Sequence, residues 1–313
     1  MKKITFIIMA LILSQIVVAQ KLISEDFFIE SFDSVRIYGT LLMPKKVKGD
    51  LNLAILIAGS GPTDRDGNNM MMTNNSLKYL AEKLGQNNIA TFRYDKRAIG
   101  KSLNAKISEK DLRFKDYIKD AIALVNHFKQ DQRFSSITVI GHSEGSLIGM
   151  IAAQKSPVDK YISIAGVGQP ADKILEEQLY EQYKIKGVTA ILDSVKAGFI
   201  VQDLGKLKNI FRPSVQPYMT SWFKYNPQNE IAELSCPVLI LQGDNDIQVK
   251  IKEAKLLKQA CPQAEYKVIS GMNHIMKIIK GDFNDNLKSY YKPELPVSKE
   301  LIKSITKFIH LKS

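Results

Sequence analysis

Residues 137–154 have the sequence ITVIGHSEGSLIGMIAAQ, and this stretch decides the fold. The β-branched run over 137–140 predicts a strand, and the apolar stretch from Ser146 predicts a helix. Between them lies the motif GHSEG at 141–145, in which two glycines let the chain turn sharply and lift the serine hydroxyl above the sheet. That is the setting of a nucleophile elbow, so Ser143 is predicted to be a nucleophile.

The composition is that of an ordinary globular protein. The 313 residues are 45% hydrophobic and contain no low-complexity tract, which is enough for one large core or for a core with a smaller appended unit. The formal charge of +12 drops only slightly once Lys2 and Lys3 are removed, and the remaining excess is spread along the chain without long blocks of like charge. Nucleic-acid binding usually shows a clustered basic stripe with interleaved aromatic residues. A nucleic-acid partner is therefore not expected.

Residues 1–19 differ from the rest of the chain. Lys2 and Lys3 precede an apolar run over 4–13, and a short segment then ends at Ala19. This pattern predicts a secretory signal peptide cut after Ala19, and hence an exported protein that is periplasmic or secreted. A membrane anchor is the alternative, but the apolar run is short for a span and is broken by Ser14 and Gln15, so no stable anchor is expected.

The only two cysteines, Cys236 and Cys261, each precede a proline just before a predicted strand. In an exported protein they are candidates for a disulfide, because neighbouring strands would bring both thiols to the same edge of the sheet. The sequence leaves the paired and the unpaired state open.

Strands and helices are predicted to alternate along the chain. A hairpin is predicted over 27–32 and 35–43, further strands over 53–58, 89–94, 137–140, 161–165, 238–242 and 266–269, and helices over 77–84, 111–130, 146–154, 250–259 and 298–310. Such alternation predicts an α/β fold with a mostly parallel central sheet and helices on both faces.

Residues 169–234 interrupt this alternation and are rich in helix-forming sequence. Sixty-odd residues are too many for a plain crossover, so we interpret this helical insertion as a cap laid over the carboxyl ends of the strands. An ordinary insertion packed elsewhere is the alternative. The domain organisation that follows is a signal peptide (1–19), a core (20–168 and 235–313) and a helical cap (169–234).

A serine hydroxyl needs a histidine base, and the chain offers four histidines. His274 follows a predicted strand in a loop that can reach over the sheet towards Ser143. The other three, His127, His142 and His310, fit packing or solvent. We therefore expect His274 to be the general base.

The histidine in turn needs a carboxylate to orient it. The segment GDND at 243–246 closes the strand before the one that leads to His274, so Asp244 and Asp246 both qualify. Asp246 is preferred, since it lies further out on the loop, whereas Asp244 suits a turn.

Two backbone amides should hold the oxyanion of a tetrahedral intermediate. One is expected from Glu144, the residue after the nucleophile. The other is expected from Ser60, with Gly61 as the alternative, because small residues at 58–61 let the backbone approach a substrate. The charged residues at 64–66 are interpreted as a local network that holds this loop.

Five segments together carry a family resemblance: GSGPTDRDG at 59–67, YDKRAIGKS at 94–102, GHSEG at 141–145, QGDNDIQV at 242–249 and the pair Asn273-His274. With them the chain resembles the α/β-hydrolase superfamily, close to bacterial carboxylesterases and the serine-aminopeptidase-like group. The resemblance implies the order serine, acid, histidine, and treats 94–102 as a structural loop without catalytic groups. Many relatives carry histidine-glycine where this chain has Ala58-Gly59, so a side-chain interaction is lost there.

The predicted activity is hydrolysis of a small-molecule ester through an acyl-enzyme on Ser143, with a Ser143, Asp246, His274 triad. A serine aminopeptidase is the alternative, for which acidic residues at 176, 177 and 181 are available to hold an amino group. A binding protein that keeps the fold without catalysis is a third reading.

Substrate-binding residues are sought in the helical insertion. Trp222 and Met219, with Tyr218 and Phe223 beside them and the methionines at 70–72 near the oxyanion loop, are candidates to line an apolar acyl pocket. Packing between insertion and core is the alternative. No metal or organic cofactor is expected, because the histidines are scattered and no metal-ligand motif occurs.

Overall fold

The computed structural model describes residues 21–311 apart from 48, 105 and 186. The predicted signal peptide lies outside this part of the chain. The strands found in it are β1 (Leu22–Glu30), β2 (Arg36–Pro44), β3 (Asn52–Ile57), β4 (Ile89–Tyr94), β5 (Ser136–His142), β6 (Lys160–Ile164), β7 (Val238–Gly243) and β8 (Glu265–Ile269).

Within the described residues these strands form a single sheet of eight strands in the order β1-β2-β4-β3-β5-β6-β7-β8. The pairs from β4 to β8 are parallel, whereas β1 and β2 form an antiparallel hairpin and β2 pairs antiparallel with β4. The mostly parallel sheet is as predicted. Neighbouring β7 and β8 follow Cys236 and Cys261, yet both thiols are free in this structure.

The helices of the described residues are α1 (Ser76–Gln86), α2 (Phe114–Lys129), α3 (Glu144–Lys155), α4 (Ala171–Tyr183), α5 (Thr189–Lys196), α6 (Lys208–Phe211), α7 (Gln216–Trp222), α8 (Pro227–Ala232), α9 (Ile251–Ala260), α10 (Phe283–Ser289) and α11 (Lys299–His310). Short 3-10 turns lie at Gly100–Ser102, Glu109–Asp111 and Gly205–Leu207.

Both faces of the sheet are buried, which explains the nearly continuous apolar sequence of its central strands. In β3, Leu53 and Ile55 point into a core shared with α2, α3 and α9, while Ala54 and Leu56 point into a second core shared with α1 and α11. Successive side chains of a strand alternate between faces. The predicted helices on both faces are therefore present.

The helical insertion contains α4 to α8 and has its own apolar cluster, built from residues such as Leu192, Phe211 and Met219. Its contact with the core is aromatic: Trp222 of α7 stacks on Phe114 of α2 with ring centroids 5.8 Å apart. Throughout residues 21–311, where described, no helix is long and apolar enough to cross a membrane.

Two helix predictions need correction. The helix predicted from 111 begins at Phe114, because Arg113 caps it and its amide donates to Asp116 Oδ2 at 2.9 Å. Helix α10 is not among the predicted helices, since its sequence FNDNLKS contains only two apolar residues, Phe283 and Leu287, and both are exposed. It begins at Phe283, directly after the N-cap Asp282, whose side chain accepts the Asp285 amide.

Candidate active site

Ser143 is the single residue between β5 and α3, and its backbone is unusual. It has φ +54° and ψ −122°, a conformation that residues with a side chain rarely adopt. A Cβ on Gly141 would lie 2.5 Å from Ser146 Cα, and a Cβ on Gly145 would lie 2.6 Å from the Ala58 carbonyl oxygen and closer still to that of Ile57. Both glycines are required because backbone passes where a side chain would stand.

The oxyanion loop approaches the elbow directly. A Cβ on Gly59 would lie 3.1 Å from Ser143 Cβ. Ser60 lines the same cavity as Ser143, whereas Gly61 lines a neighbouring one. Of the two predicted donors, Ser60 is therefore the one placed beside the serine.

His274 and Asp246 are joined by a hydrogen bond of 2.8 Å between His274 Nδ1 and Asp246 Oδ2. The other carboxylate oxygen accepts the amides of Gln248 (2.8 Å) and Val249 (2.9 Å). Burial acts to raise the pKa of the Asp246 carboxyl, but the histidine and the two amides outweigh it, so this pKa lies below its ordinary value. A carboxylate held in this way stays ionised and fixes the imidazole.

Asp244 has a different place. Its Oδ1 accepts the backbone amide of Gly271 at 2.6 Å, which ties the end of β7 to the loop after β8. The structure thus separates the two acids that the sequence left open, with Asp246 against the histidine and Asp244 in a turn.

Ser143 and His274 line one cavity of about 110 Å³. Its remaining wall is largely polar and uncharged, and is formed by Thr63, Asn69, Asn74, Ser76, Gln248 and Tyr290 together with small and apolar residues. No acidic side chain is among the described residues that line it. The cavity therefore suits a neutral group with hydrogen-bonding atoms.

The chain is similar to several known proteins. Residues 70–208 match the family described as serine aminopeptidase, S33. The chain is 25% identical over 284 residues to esterase EstD of Thermotoga maritima, an alignment that covers 87% of this chain and 65% of that protein. The chain thus spans less than two thirds of that relative.

Solved structures share the fold over nearly the whole chain. Est1E from Butyrivibrio proteoclasticus has a TM-score of 0.59 at 19% identity, and the match covers 92% of this chain and 99% of that one. The Pyrococcus furiosus esterase Pf2001 has a TM-score of 0.58 at 16% identity, with 92% of each chain covered. The chain therefore has the α/β-hydrolase fold.

His142 makes a contact that the sequence did not reveal. Its Nε2 lies 2.8 Å from the carbonyl oxygen of His274. Burial, with a further effect from His274, lowers the pKa of His142 to about 3, so the ring is neutral and its Nε2–H donates to that carbonyl. Of packing and solvent, the two settings predicted for His142, the structure shows the first: the side chain is buried, and it also anchors the backbone of the loop that carries His274.

The predicted substrate-binding residues lie away from the cavity that Ser143 lines. Met219 is buried in the apolar cluster of the helical insertion, and Trp222 packs against Phe114. Neither is among the described residues that line the cavity with Ser143. The alternative that the sequence allowed, packing of the insertion on the core, accounts for both side chains.

The acids considered for an amino group also lie outside the cavity. Glu176 accepts a hydrogen bond from Thr189, Glu177 pairs with Lys252, and Glu181 lies 3.8 Å from Lys250. They belong to α4 and its contacts. No group of three or more His, Cys, Asp and Glu side chains in the described part of the chain is placed to hold a metal ion.

The charged residues of the 64–66 segment form the network predicted for them. The Arg65 guanidinium pairs with Asp95 at 2.7 Å, and the Arg65 amide donates to the same carboxylate. Arg93 pairs with Asp66 at 2.7 Å. These contacts tie the segment that follows the oxyanion loop to the end of β4.

Proposed function

We propose that this protein hydrolyses carboxylic esters through an acyl-enzyme on Ser143. The observation that carries the proposal is the single cavity lined by Ser143, Ser60 and His274, with Asp246 hydrogen-bonded to the histidine from behind. The similarity to esterase EstD over most of the chain supports the same chemistry.

The proposed mechanism depends on which nitrogen of His274 faces Ser143. Nδ1 of His274 is engaged by Asp246, so Nε2 accepts the Ser143 proton as Oγ attacks the ester carbonyl. The amides of Ser60 and Glu144 hold the oxyanion. Collapse of the intermediate breaks the ester bond, and the alcohol leaves with the proton from His274. Water then attacks the acyl-enzyme and gives a proton to Nε2. As the second tetrahedral intermediate collapses, the bond to Oγ breaks, His274 returns that proton to Ser143 Oγ, and the acid is released.

The uncharged cavity favours an ester over an aminoacyl substrate. An aminopeptidase must hold a substrate ammonium group, and a buried cation without a partner is costly. The described wall of the cavity contains no carboxylate, and the acids of α4 are paired elsewhere. We therefore rank ester hydrolysis above the aminopeptidase activity that the matched family's description suggests.

The size of the cavity indicates a short acyl group. Pockets for larger ligands typically measure about 300–1,000 Å³, whereas this one measures about 110 Å³. Water occupies about 30 Å³ per molecule in the liquid, so the cavity holds a group of a few heavy atoms. A structure of Est1E has ferulic acid bound, and a ferulate ester is thus a useful bulky comparison.

The test is turnover of p-nitrophenyl esters from acetate to dodecanoate, beside methyl ferulate and aminoacyl p-nitroanilides, with Ser143→Ala as control. We expect kcat/KM to be highest for acetate to butyrate and to be lost in Ser143→Ala. Turnover of anilides alone would overturn the ester assignment. A fluorophosphonate probe should label the wild type and not Ser143→Ala.

We further propose that residues 1–19 direct export and are removed. Expression of the full chain in a bacterium, followed by fractionation and N-terminal sequencing, tests this. A mature protein that begins at Gln20 is expected, and an intact N-terminus held in the membrane fraction would contradict the proposal and favour an anchor.

A further inference from the structure

Lys96 is a buried cation beneath the oxyanion loop. Its side chain is 2% exposed, and its ammonium group lies 2.5 Å from the Gly59 carbonyl oxygen and 3.3 Å from Glu144 Oε1. Gly59 directly precedes Ser60, the proposed oxyanion donor of the loop. Glu144 supplies the other proposed donor through its amide. Lys96 thus contacts both segments that carry the proposed donors.

The contact with Gly59 bears on the direction of the Ser60 amide. The carbonyl of Gly59 and the N–H of Ser60 belong to one planar trans peptide and point in opposite directions. A hydrogen bond that holds the carbonyl towards Lys96 therefore holds the N–H towards the opposite side of the loop. A charged donor also strengthens the bond and polarises the peptide, which makes its N–H a better donor.

Lys96 itself does not face the reacting atoms. It lines the neighbouring cavity, with Gly61, Tyr117 and Tyr218, whereas Ser143 and His274 line the other one. Its ammonium group is engaged by the Gly59 carbonyl oxygen and the Glu144 carboxylate, which leaves no described contact with Ser143 or His274 for a role as base or direct oxyanion ligand. The role left for it is to act through the backbone of the loop.

A buried ammonium group is expensive unless it is paired. Here the Glu144 carboxylate, itself 2% exposed, is the counter-ion, and the Tyr117 ring lies 5.2 Å from Nζ. A buried ion pair is no better for stability than apolar side chains of the same size, so stability alone does not explain this pair. Its position between the two donor segments does.

We propose that Lys96 is a positioning residue that orients the Gly59–Ser60 peptide so that the Ser60 amide points into the oxyanion hole. Glu144 then serves twice, with its amide as donor and its carboxylate as the partner of Lys96. This inference rests on the proposed ester hydrolysis.

The test compares Lys96→Met, Glu144→Gln and the control Lys101→Met, with kcat expressed per active site titrated by a fluorophosphonate. Loss of one oxyanion donor costs about 10²–10³-fold in kcat, and we expect that loss in Lys96→Met with KM changed by less than about threefold. Glu144→Gln keeps both backbone donors and the hydrogen bond from Lys96 to the Gly59 carbonyl oxygen, so its kcat should fall by less than about tenfold. Lys101 is exposed and its side chain pairs only with Asp26 among the described contacts, so its variant should match the wild type.

If the ion pair were merely structural, kcat would fall by the same factor in Lys96→Met and Glu144→Gln, and that result would overturn the proposal. So would a Lys96→Met enzyme with kcat within about threefold of the wild type. A second readout does not depend on ester turnover. In a crystal structure of Lys96→Met we expect the Gly59–Ser60 peptide to be rotated, and an unmoved peptide would refute the role even if the wild type proved inactive on esters.

Discussion

Gly145→Ala provides a test of how closely the elbow and the oxyanion loop must approach. A Cβ at Gly145 would stand 2.6 Å from the carbonyl oxygen of Ala58, against 3.4 Å for ordinary van der Waals contact, and the Ile57 oxygen is nearer still. Both neighbours are backbone atoms, which cannot swing aside as a side chain can. The start of α3 and the end of β3 must therefore separate by at least about 0.8 Å.

That separation acts on catalysis, because Ala58 leads directly into Gly59 and Ser60. A misplacement of about 1 Å in a catalytic array costs about 10²-fold in rate, which corresponds to about 2.7 kcal/mol in the activation free energy. Overpacking of this kind lowers the free energy of unfolding by about 1–3 kcal/mol. We expect both losses in Gly145→Ala.

Gly149→Ala is the matched control, since it makes the same change one turn further along α3. Its Cβ would meet Val139 Cγ1 at 3.0 Å and Tyr161 Cε2 at 3.2 Å, both side-chain atoms that can move. Steady-state kinetics on p-nitrophenyl acetate and urea unfolding decide the matter. The reasoning is wrong if Gly145→Ala keeps kcat/KM within about threefold of the wild type, or if kcat/KM falls by the same factor in Gly145→Ala and Gly149→Ala.

Two further predictions concern ionised groups. Asp246→Asn should lower kcat on p-nitrophenyl acetate about 10⁴-fold, because the His274 tautomer is no longer fixed. Asp244→Asn should lower kcat less than about tenfold, because the Asp244 side chain accepts the amide of a turn. Equal losses of kcat in the two variants would contradict the assignment. Burial lowers the pKa of Lys277 from 10.5 to about 8, so between these pH values the unfolded chain binds more protons than the folded protein. The difference in free energy of unfolding between wild type and Lys277→Met should rise by about 3 kcal/mol from pH 8 to 10.5 in urea titrations, and a flat difference would exclude the effect.

Much of the sheet could be predicted because its strands are buried on both faces. The runs over 53–58 and 137–140 are apolar or β-branched almost throughout, and the strands found there differ from them by one or two residues at each end. Helix α10 was missed for the converse reason. Its sequence has only two apolar residues, both exposed, and its position depends on contacts such as that of Asn286 with the Asn245 carbonyl.

The candidate site could likewise be predicted only in part. The order of Ser143, Asp246 and His274 could be read from motifs that follow strands, because parallel strands end at one edge of the sheet. Which surface an aromatic side chain covers depends on distant segments, so the sequence leaves both a substrate pocket and packing open for Trp222. In the structure Trp222 packs on Phe114. The buried position of Lys96 could not be predicted either, because a charged residue after a strand is ordinarily exposed.

The backbone of Ser143 also has a consequence for how this protein could be improved. A serine at φ +54° and ψ −122° is held there at a cost of about 1–3 kcal/mol, and glycine would remove that cost at no geometric penalty. Any selection or design that rewards thermal resistance alone will therefore favour glycine at position 143 and discard the hydroxyl. Thermal stability favours glycine at position 143, whereas a nucleophilic hydroxyl requires serine. Thermostabilised variants should therefore be selected with Ser143 unchanged.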